Sequence, residues 1–302
     1  MRTAFIGLGV MGYPMARHLK DHGHDVVVYN RTEARSDAWV REHGGALAHS
    51  PAEAAKGAEL VLTCVGADDD VRSVAYGDDG LLATLSEGAI WVDHTTASAE
   101  LAREMDARCA FVDAPVSGGQ AGAENGTLTV MCGASDEHFA RVDPVLACYG
   151  KRRVRVGEVG AGQLAKMVNQ ICIAGLVQGL SEGVHFAEVA GLDHEKVFEA
   201  ISAGAAGSWQ MSNRADTMHA RKFDFGFALD WMRKDLGLAL TEARRNGARL
   251  PVAALVDQYY GQLQAHGSGR LDHEKVFEAI SAGAAGSWQM SPVSSSLRQS
   301  KT

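Results

Sequence analysis

The chain has 302 residues, 46% of them hydrophobic, which is too much for one ordinary core and enough for two compact domains. A formal charge of -8 excludes a surface built for nucleic acid, which needs clustered cations, and the densest basic run is only Lys151-Arg152-Arg153. Five scattered cysteines, Cys64, Cys109, Cys132, Cys148 and Cys172, show no Cys-x-x-Cys spacing, so neither a disulfide framework nor a metal site is expected and a reducing, cytoplasmic setting is. The first apolar run, Ala4-Phe5-Ile6, enters a glycine turn at once and leaves no room for a signal-peptide core. The longest apolar region, Met167 to Phe186, holds Asn169, Gln170, Gln178, Ser181, Glu182 and His185, too many polar groups for lipid.

In chain order, short β-branched or apolar runs fall at Thr3–Ile6, Val26–Tyr29, Leu60–Val65, Ile90–Val92, Phe111–Val112, Thr127–Cys132 and Arg153–Val156. They alternate with helical stretches, the pattern of a parallel sheet with crossover helices. From about Gly160 the strand signals stop. Leu164, Met167, Val168, Ile171, Ile173, Leu176, Leu180 and Val184 then recur at roughly helical spacing, and further helices are predicted over Glu195–Ile201, Trp231–Arg245 and Ala253–Gln264. The expected organisation is an α/β domain over 1–160 and an all-α domain over 161–270, joined by one long helix. The segment Leu192–Ser212 recurs unchanged at Leu271–Ser291. Structural repeats diverge while keeping their pattern, and solenoids need about three adjacent units, so this is read as a recent copying event. Residues 271–302, the second copy and its polar tail, are treated as an appended end whose order is left open.

Gly7-Leu8-Gly9-Val10-Met11-Gly12 follows the first strand directly and opens a helix through Met15, Ala16 and Leu19. In such a turn Gly7 permits the bend, Gly9 lets the backbone approach a pyrophosphate, and Gly12 lets the helix sit close to the sheet. The anion rests on the free N–H groups of the helix start. At the end of the second strand an acidic residue would pair with ribose hydroxyls and repel a 2′-phosphate. Here Asn30, Arg31 and Thr32 offer no carboxylate, and the Arg31 guanidinium suits phosphate, so NADP(H) is favoured while NAD(H) stays possible.

Asp93-His94-Thr95-Thr96 and Asp113-Ala114-Pro115-Val116-Ser117-Gly118-Gly119 stand at strand ends, where open α/β sheets bind ligands. Ser117, Gly118 and Gly119 present a hydroxyl and close backbone N–H groups to a carboxylate. On the long helix, Lys166, Asn169 and Gln170 are spaced i, i+3, i+4 and share one face, just after the domain junction where a cleft is expected. A lone lysine on such a helix is ordinarily solvated. Its apolar flanks, Ala165 and Met167, and the two amides on its face point instead to a desolvated amine with a pKa lowered toward neutrality, fit for proton exchange with a hydroxyl or carbonyl oxygen.

These motifs, GLGVMGYPMA, DAPVSGGQAGAENGTL, GAGQLAKMVNQ and FALDWMRKDLGLAL, make residues 1–270 resemble the β-hydroxyacid dehydrogenase family, which includes 3-hydroxyisobutyrate dehydrogenase and tartronate semialdehyde reductase. The resemblance implies a Rossmann-type doubly wound sheet, a long interdomain helix and an all-α substrate and oligomerisation domain, in a homodimer or homotetramer. It implies Lys166 as the catalytic lysine, Ser117, Gly118 and Gly119 on the substrate carboxylate, Thr96 beside the nicotinamide and Lys234 closing over the cofactor. Cys64 and Val65, at the end of the Leu60–Val65 run, join the cofactor set. Asn169 and Gln170 are expected to orient the substrate, with Trp209 and Gln210 on the pocket wall. Many relatives carry two consecutive asparagines where this chain has Asn169-Gln170, and the family's usual C-terminus is replaced after Leu271 by the copied block.

The resulting expectation is an NADP(H)-preferring oxidoreductase that interconverts a small 3-hydroxy acid, 3-hydroxyisobutyrate-like, or a 4-hydroxy acid with its semialdehyde. Lys166 is the general acid and base. Imine reductases share the architecture but usually hold another residue, such as Asp or Tyr, at the lysine position. A non-catalytic dinucleotide-binding module is the rival from outside catalysis, suggested by the altered C-terminus alone.

Overall fold

A computed structural model describes residues 1–223 and 227–283. The strands are β1 Arg2–Ile6, β2 Asp25–Tyr29, β3 Ala46–Leu47, β4 Leu60–Thr63, β5 Ile90–Asp93, β6 Phe111–Asp113, β7 Val116–Ser117, β8 Leu128–Gly133 and β9 Gly150–Gly157. The helices among them are α1 Gly12–Asp21, α2 Glu33–His43, α3 Pro51–Ala55, α4 Asp68–Ala75, α5 Ala99–Asp106, α6 Gly119–Glu124 and α7 Asp136–Leu146. The helical half follows as α8 Ala161–Val189, α9 His194–Ser202, α10 Trp209–His219, α11 Leu229–Asn246, α12 Pro251–Ala265 and α13 Val276–Gly283.

The sheet runs β3-β2-β1-β4-β5-β6-β8-β7, with β9 beside β8. From β3 to β6 every pairing is parallel. Its strands are apolar on both sides because both faces are covered. Phe5, Val26, Val28, Leu60 and Leu62 pack into one core and Ala4, Ile6, Val27 and Val61 into the other. The sequence pattern leads to a wholly parallel sheet, but β8 lies antiparallel to β6 and β7 and parallel to β9. Residues 118–127, which join β7 to β8, are fewer than the dozen or so that a parallel crossover needs. β3 and β7, two residues each, carry too little pattern to be read from sequence.

The chain divides into two compact units, one of residues Met1–Cys172 and Lys234–Leu250, the other of Ile173–Arg233 and Pro251 onward. This division by contacts falls later in the chain than the expected boundary at 160. Asp113 accepts the backbone N–H groups of Gly160 and Gln163, Lys234 bonds the carbonyls of Gly66 and Thr96, and Arg245 pairs with Glu100 at 2.7 Å. These bonds hold the first turns of α8 and most of α11 in the first unit.

In the second unit, Asp193 caps α9 and Ser208 caps α10, each accepting from a backbone N–H one turn on. The α10 helix was not among the elements the sequence pattern suggests. Residues 271–283 do not form an appended end. Leu271 accepts the N–H of Leu229, and Asp272 accepts those of Phe227 and Glu274. Val276 and Phe277 are fully buried. The rest of the second copy and the tail lie outside the described residues. No helix among the described residues is long and apolar enough to cross a membrane.

Candidate active site

The glycine turn sits at the carboxyl end of β1. Gly7 has φ +99°, and a Cβ there would lie 2.3 Å from the Cys64 carbonyl oxygen. A Cβ on Gly12 would lie 1.9 Å from the Gly7 carbonyl oxygen, so α1 starts as close to the turn as backbone allows. Beside Gly9 nothing lies within 4 Å of a Cβ position, the open approach that a pyrophosphate needs. Leu8 is buried, Val10 is 61% exposed, and Met11 stands at the start of α1 without a side-chain cap. The loop after β2 braces this turn. Asn30 Oδ1 accepts the Leu8 N–H at 2.9 Å, and Arg35 donates to the Leu8 carbonyl at 3.0 Å. Thr32 begins α2, and the Arg31 guanidinium is 87% exposed, 3.4 Å from Asp70. With its open glycine and free helix start, the region fits a nicotinamide dinucleotide.

Along the neighbouring strand ends, Cys64 donates its N–H to Ile6 and Val65 donates to the Thr95 hydroxyl at 3.0 Å. Half-buried Thr96 follows Asp93, a fully buried carboxyl that takes the Thr63 hydroxyl at 2.6 Å and the Thr95 N–H at 3.1 Å. Burial pushes Asp93 up to about 6. His94 is locked between the Ala114 carbonyl at 2.7 Å and the Tyr149 hydroxyl at 2.8 Å, and burial lowers it to about 4, so it stays neutral and structural. Ser117 ends β7, while Gly118 and Gly119, with φ +130° and +61°, form the start of α6.

Lys166 lies one turn inside α8 and is only 7% exposed. Burial lowers its amine to about 8, opposed by the Asp235 carboxylate and assisted by the Lys234 charge. On the same face Asn169 donates to Gln170, and Gln170 donates to Asp235 Oδ2 at 2.6 Å. Asp235 is 2% exposed, with its Oδ1 3.2 Å from Lys234 Nζ. Burial raises its pKa, while Lys234, Lys166 and the Gln170 bond pull the other way. Lys234 also donates to the carbonyls of Gly66 at 3.1 Å and of Thr96. Gln170, Asp235, Lys234 and the Thr96 loop thus form one connected group in the first unit, and the Lys166 amine feels the charges of Asp235 and Lys234. A cavity of about 650 Å³ in that unit is bordered by Met167, Lys234, Ser98, Asp68 and Thr241.

Asp235 and Arg35 were not foreseen from sequence. Asp235 meets Gln170 across 65 positions and Arg35 meets Leu8 across 27, contacts that only the fold creates. The Lys-Asp-Leu run was a usable signal for Asp235. Trp209 belongs to the second unit, where it is 61% exposed at the first turn of α10 with the Arg214 guanidinium 5.0 Å over its ring.

Residues 2–160 match the family model described as the NAD binding domain of 6-phosphogluconate dehydrogenase. Residues 160–277 match the one described as the NAD-binding region of NADP-dependent 3-hydroxyisobutyrate dehydrogenase. An uncharacterized oxidoreductase of Shewanella frigidimarina is 61% identical over 284 residues, 92% of this chain and 98% of that protein. A probable mitochondrial 3-hydroxyisobutyrate dehydrogenase-like protein of Arabidopsis thaliana is 40% identical over 285 residues, 92% of this chain and 85% of its own. Among solved structures, the Mycobacterium tuberculosis 3-hydroxyisobutyrate dehydrogenase with L-serine superposes with a TM-score of 0.84 at 30% identity, covering 92% of this chain and 98% of that one.

Proposed function

Because this chain belongs to the β-hydroxyacid dehydrogenase family, NAD(P)-dependent enzymes acting on CH–OH groups, we propose that it is an NADP(H)-preferring member with Lys166 as its proton-transfer residue. Its substrate pair is a small 3-hydroxy acid, 3-hydroxyisobutyrate-like, or a 4-hydroxy acid and the corresponding semialdehyde. The observation that carries this reading is the buried Lys166 amine among Gln170, Lys234 and Asp235, lowered to about 8.

A bound nicotinamide dinucleotide supplies or accepts the hydride. Gly7 to Gly12 hold its pyrophosphate, with Cys64, Val65, Thr96 and Lys234 beside it and Asn30, Arg31 and Thr32 at the 2′-phosphate. In oxidation the uncharged Lys166 amine takes the hydroxyl proton; in reduction its ammonium gives that proton to the carbonyl oxygen as negative charge develops there. An amine titrating near 8 supplies both forms around neutrality, which an ordinary solvated lysine does not. Ser117, Gly118 and Gly119 hold the substrate carboxylate, and Asn169 and Gln170 orient the carbon that reacts. L-serine, named with the Mycobacterium neighbour, is itself a 3-hydroxy acid and supports this substrate class. Five free thiols support a reducing, cytoplasmic setting, and the family supports a homodimer or homotetramer.

Replacing Lys166 by Ala tests the role directly. Turnover of the preferred semialdehyde with NADPH should fall by about 10²- to 10⁴-fold, while NADPH binding, followed by its fluorescence, stays within about threefold of the parent. Near-normal turnover rules the role out.

A further inference from the structure

A single buried amide ties the two halves of this site together. Gln163, 1% exposed, donates through Nε2 to the Thr95 carbonyl at 2.7 Å and accepts through Oε1 from the Ala97 N–H at 3.0 Å. The two partners flank Thr96 on either side. Exchanging the amide's oxygen and nitrogen would set donor against donor and acceptor against acceptor, so one orientation is fixed. The Gln163 main-chain N–H is held in turn by Asp113 Oδ2 at 2.8 Å, and that carboxyl takes the Gly160 N–H at 2.7 Å through its other oxygen. Gly162 has no room for a side chain: a Cβ would lie 2.5 Å from the carbonyl oxygens of Asp113 and Met131. The start of α8 is therefore seated hard against the strand ends. Lys166 follows Gln163 by three positions, the spacing that puts both on one side of the helix.

We propose that Gln163 is a positioning residue for the reaction: it makes the Thr96 loop and the helical turn bearing Lys166 one rigid body, setting the amine's place relative to the face where hydride is exchanged. This rests on Lys166 being the proton-transfer residue. Its two bonds, of opposite polarity, fix both sides of Thr96, and a misplacement of about 1 Å in such a pair costs on the order of 10²-fold in rate. Lys234, bonded to the Thr96 carbonyl, fixes the same loop from α11, so the loop is gripped from both helices.

The test compares Gln163→Met, which keeps the length and removes both bonds, with Gln163→Glu, whose carboxyl reproduces the donor and acceptor only when protonated. In Gln163→Met, kcat should fall about 10- to 100-fold with NADPH affinity unchanged, and the pH midpoint of hydroxy-acid oxidation should rise above the parent's as Lys166 is rehydrated. In Gln163→Glu, the reduction rate relative to the parent should climb back as pH falls toward 5; if Gln163→Met does not fold, this recovery alone decides. A folded Gln163→Met with kcat within about threefold of the parent and the same pH midpoint, or a Gln163→Glu ratio independent of pH, overturns the proposal. Lys166→Ala is assayed alongside: if it stays active, the reading of Lys166 fails rather than that of Gln163.

Discussion

At the end of β2 the chain continues with Asn30, Arg31 and Thr32, none of them the carboxylate that would pair with ribose hydroxyls. The Arg31 ion pair with Asp70 is exposed and 3.4 Å long, a contact weak enough to yield to a phosphate dianion. Changing Arg31 to Asp should lower the ratio of kcat/KM for NADP(H) over NAD(H) by at least about tenfold; steady-state kinetics with both cofactors check it, and an unchanged ratio removes Arg31 from cofactor choice. Single residues were legible where a motif fixes their chemistry locally. Gly7, Gly9, Gly12 and Lys166 could be named from spacing and flanks alone; Gly7 lies at φ +99°, a side chain at Gly12 would meet the Gly7 carbonyl, and Lys166 is buried. Arg35, Asp235 and Gln163 were not, because their work is done through partners 27, 65 and 68 positions away.

Elements followed the same division. The five buried strands from β1 to β6 announced themselves as apolar runs, and α8, α9, α11 and α12 by helical periodicity. The reversal of β8 depends on connection length, which pattern does not encode. The copied segment shows the limit most sharply. Its first copy starts α9 directly at His194, with Glu195 exposed, whereas the second forms a 3₁₀ turn over His273–Lys275, with Glu274 buried, before α13 begins. One sequence takes two local structures because different neighbours surround it. Glu274 lies against Arg214 at 2.8 Å, and burial followed by the charge of Asp272 raises its carboxyl to about 8. A raised acid pKa means the folded chain holds its proton longer than the unfolded one, so stability falls as pH rises from about 5 toward 8. Burial of the neighbouring His273 lowers its pKa and acts in the opposite sense, so the parent and the variant must be compared. Glu274→Gln should flatten the decline of the melting temperature between about pH 5 and pH 8; an identical slope in both proteins places the pH dependence elsewhere.

For the whole molecule, composition foretold two compact bodies, and the chain has two, though not cut where the strand signals end. The cut falls inside α8, because hydrogen bonds from Asp113, Gln163 and Lys234 draw its first turns and most of α11 into the α/β unit. Those long-range bonds also bring Lys234 and Asp235 to Lys166, so the dehydrogenase chemistry proposed here depends on one amine kept out of water. Its titration is the most direct check. With carbon-13 at the lysine side chains and the resonance assigned from Lys166→Arg, the NMR shift of Lys166 followed against pH should give a midpoint near 8, and a midpoint at the ordinary lysine value of 10.5 contradicts the account.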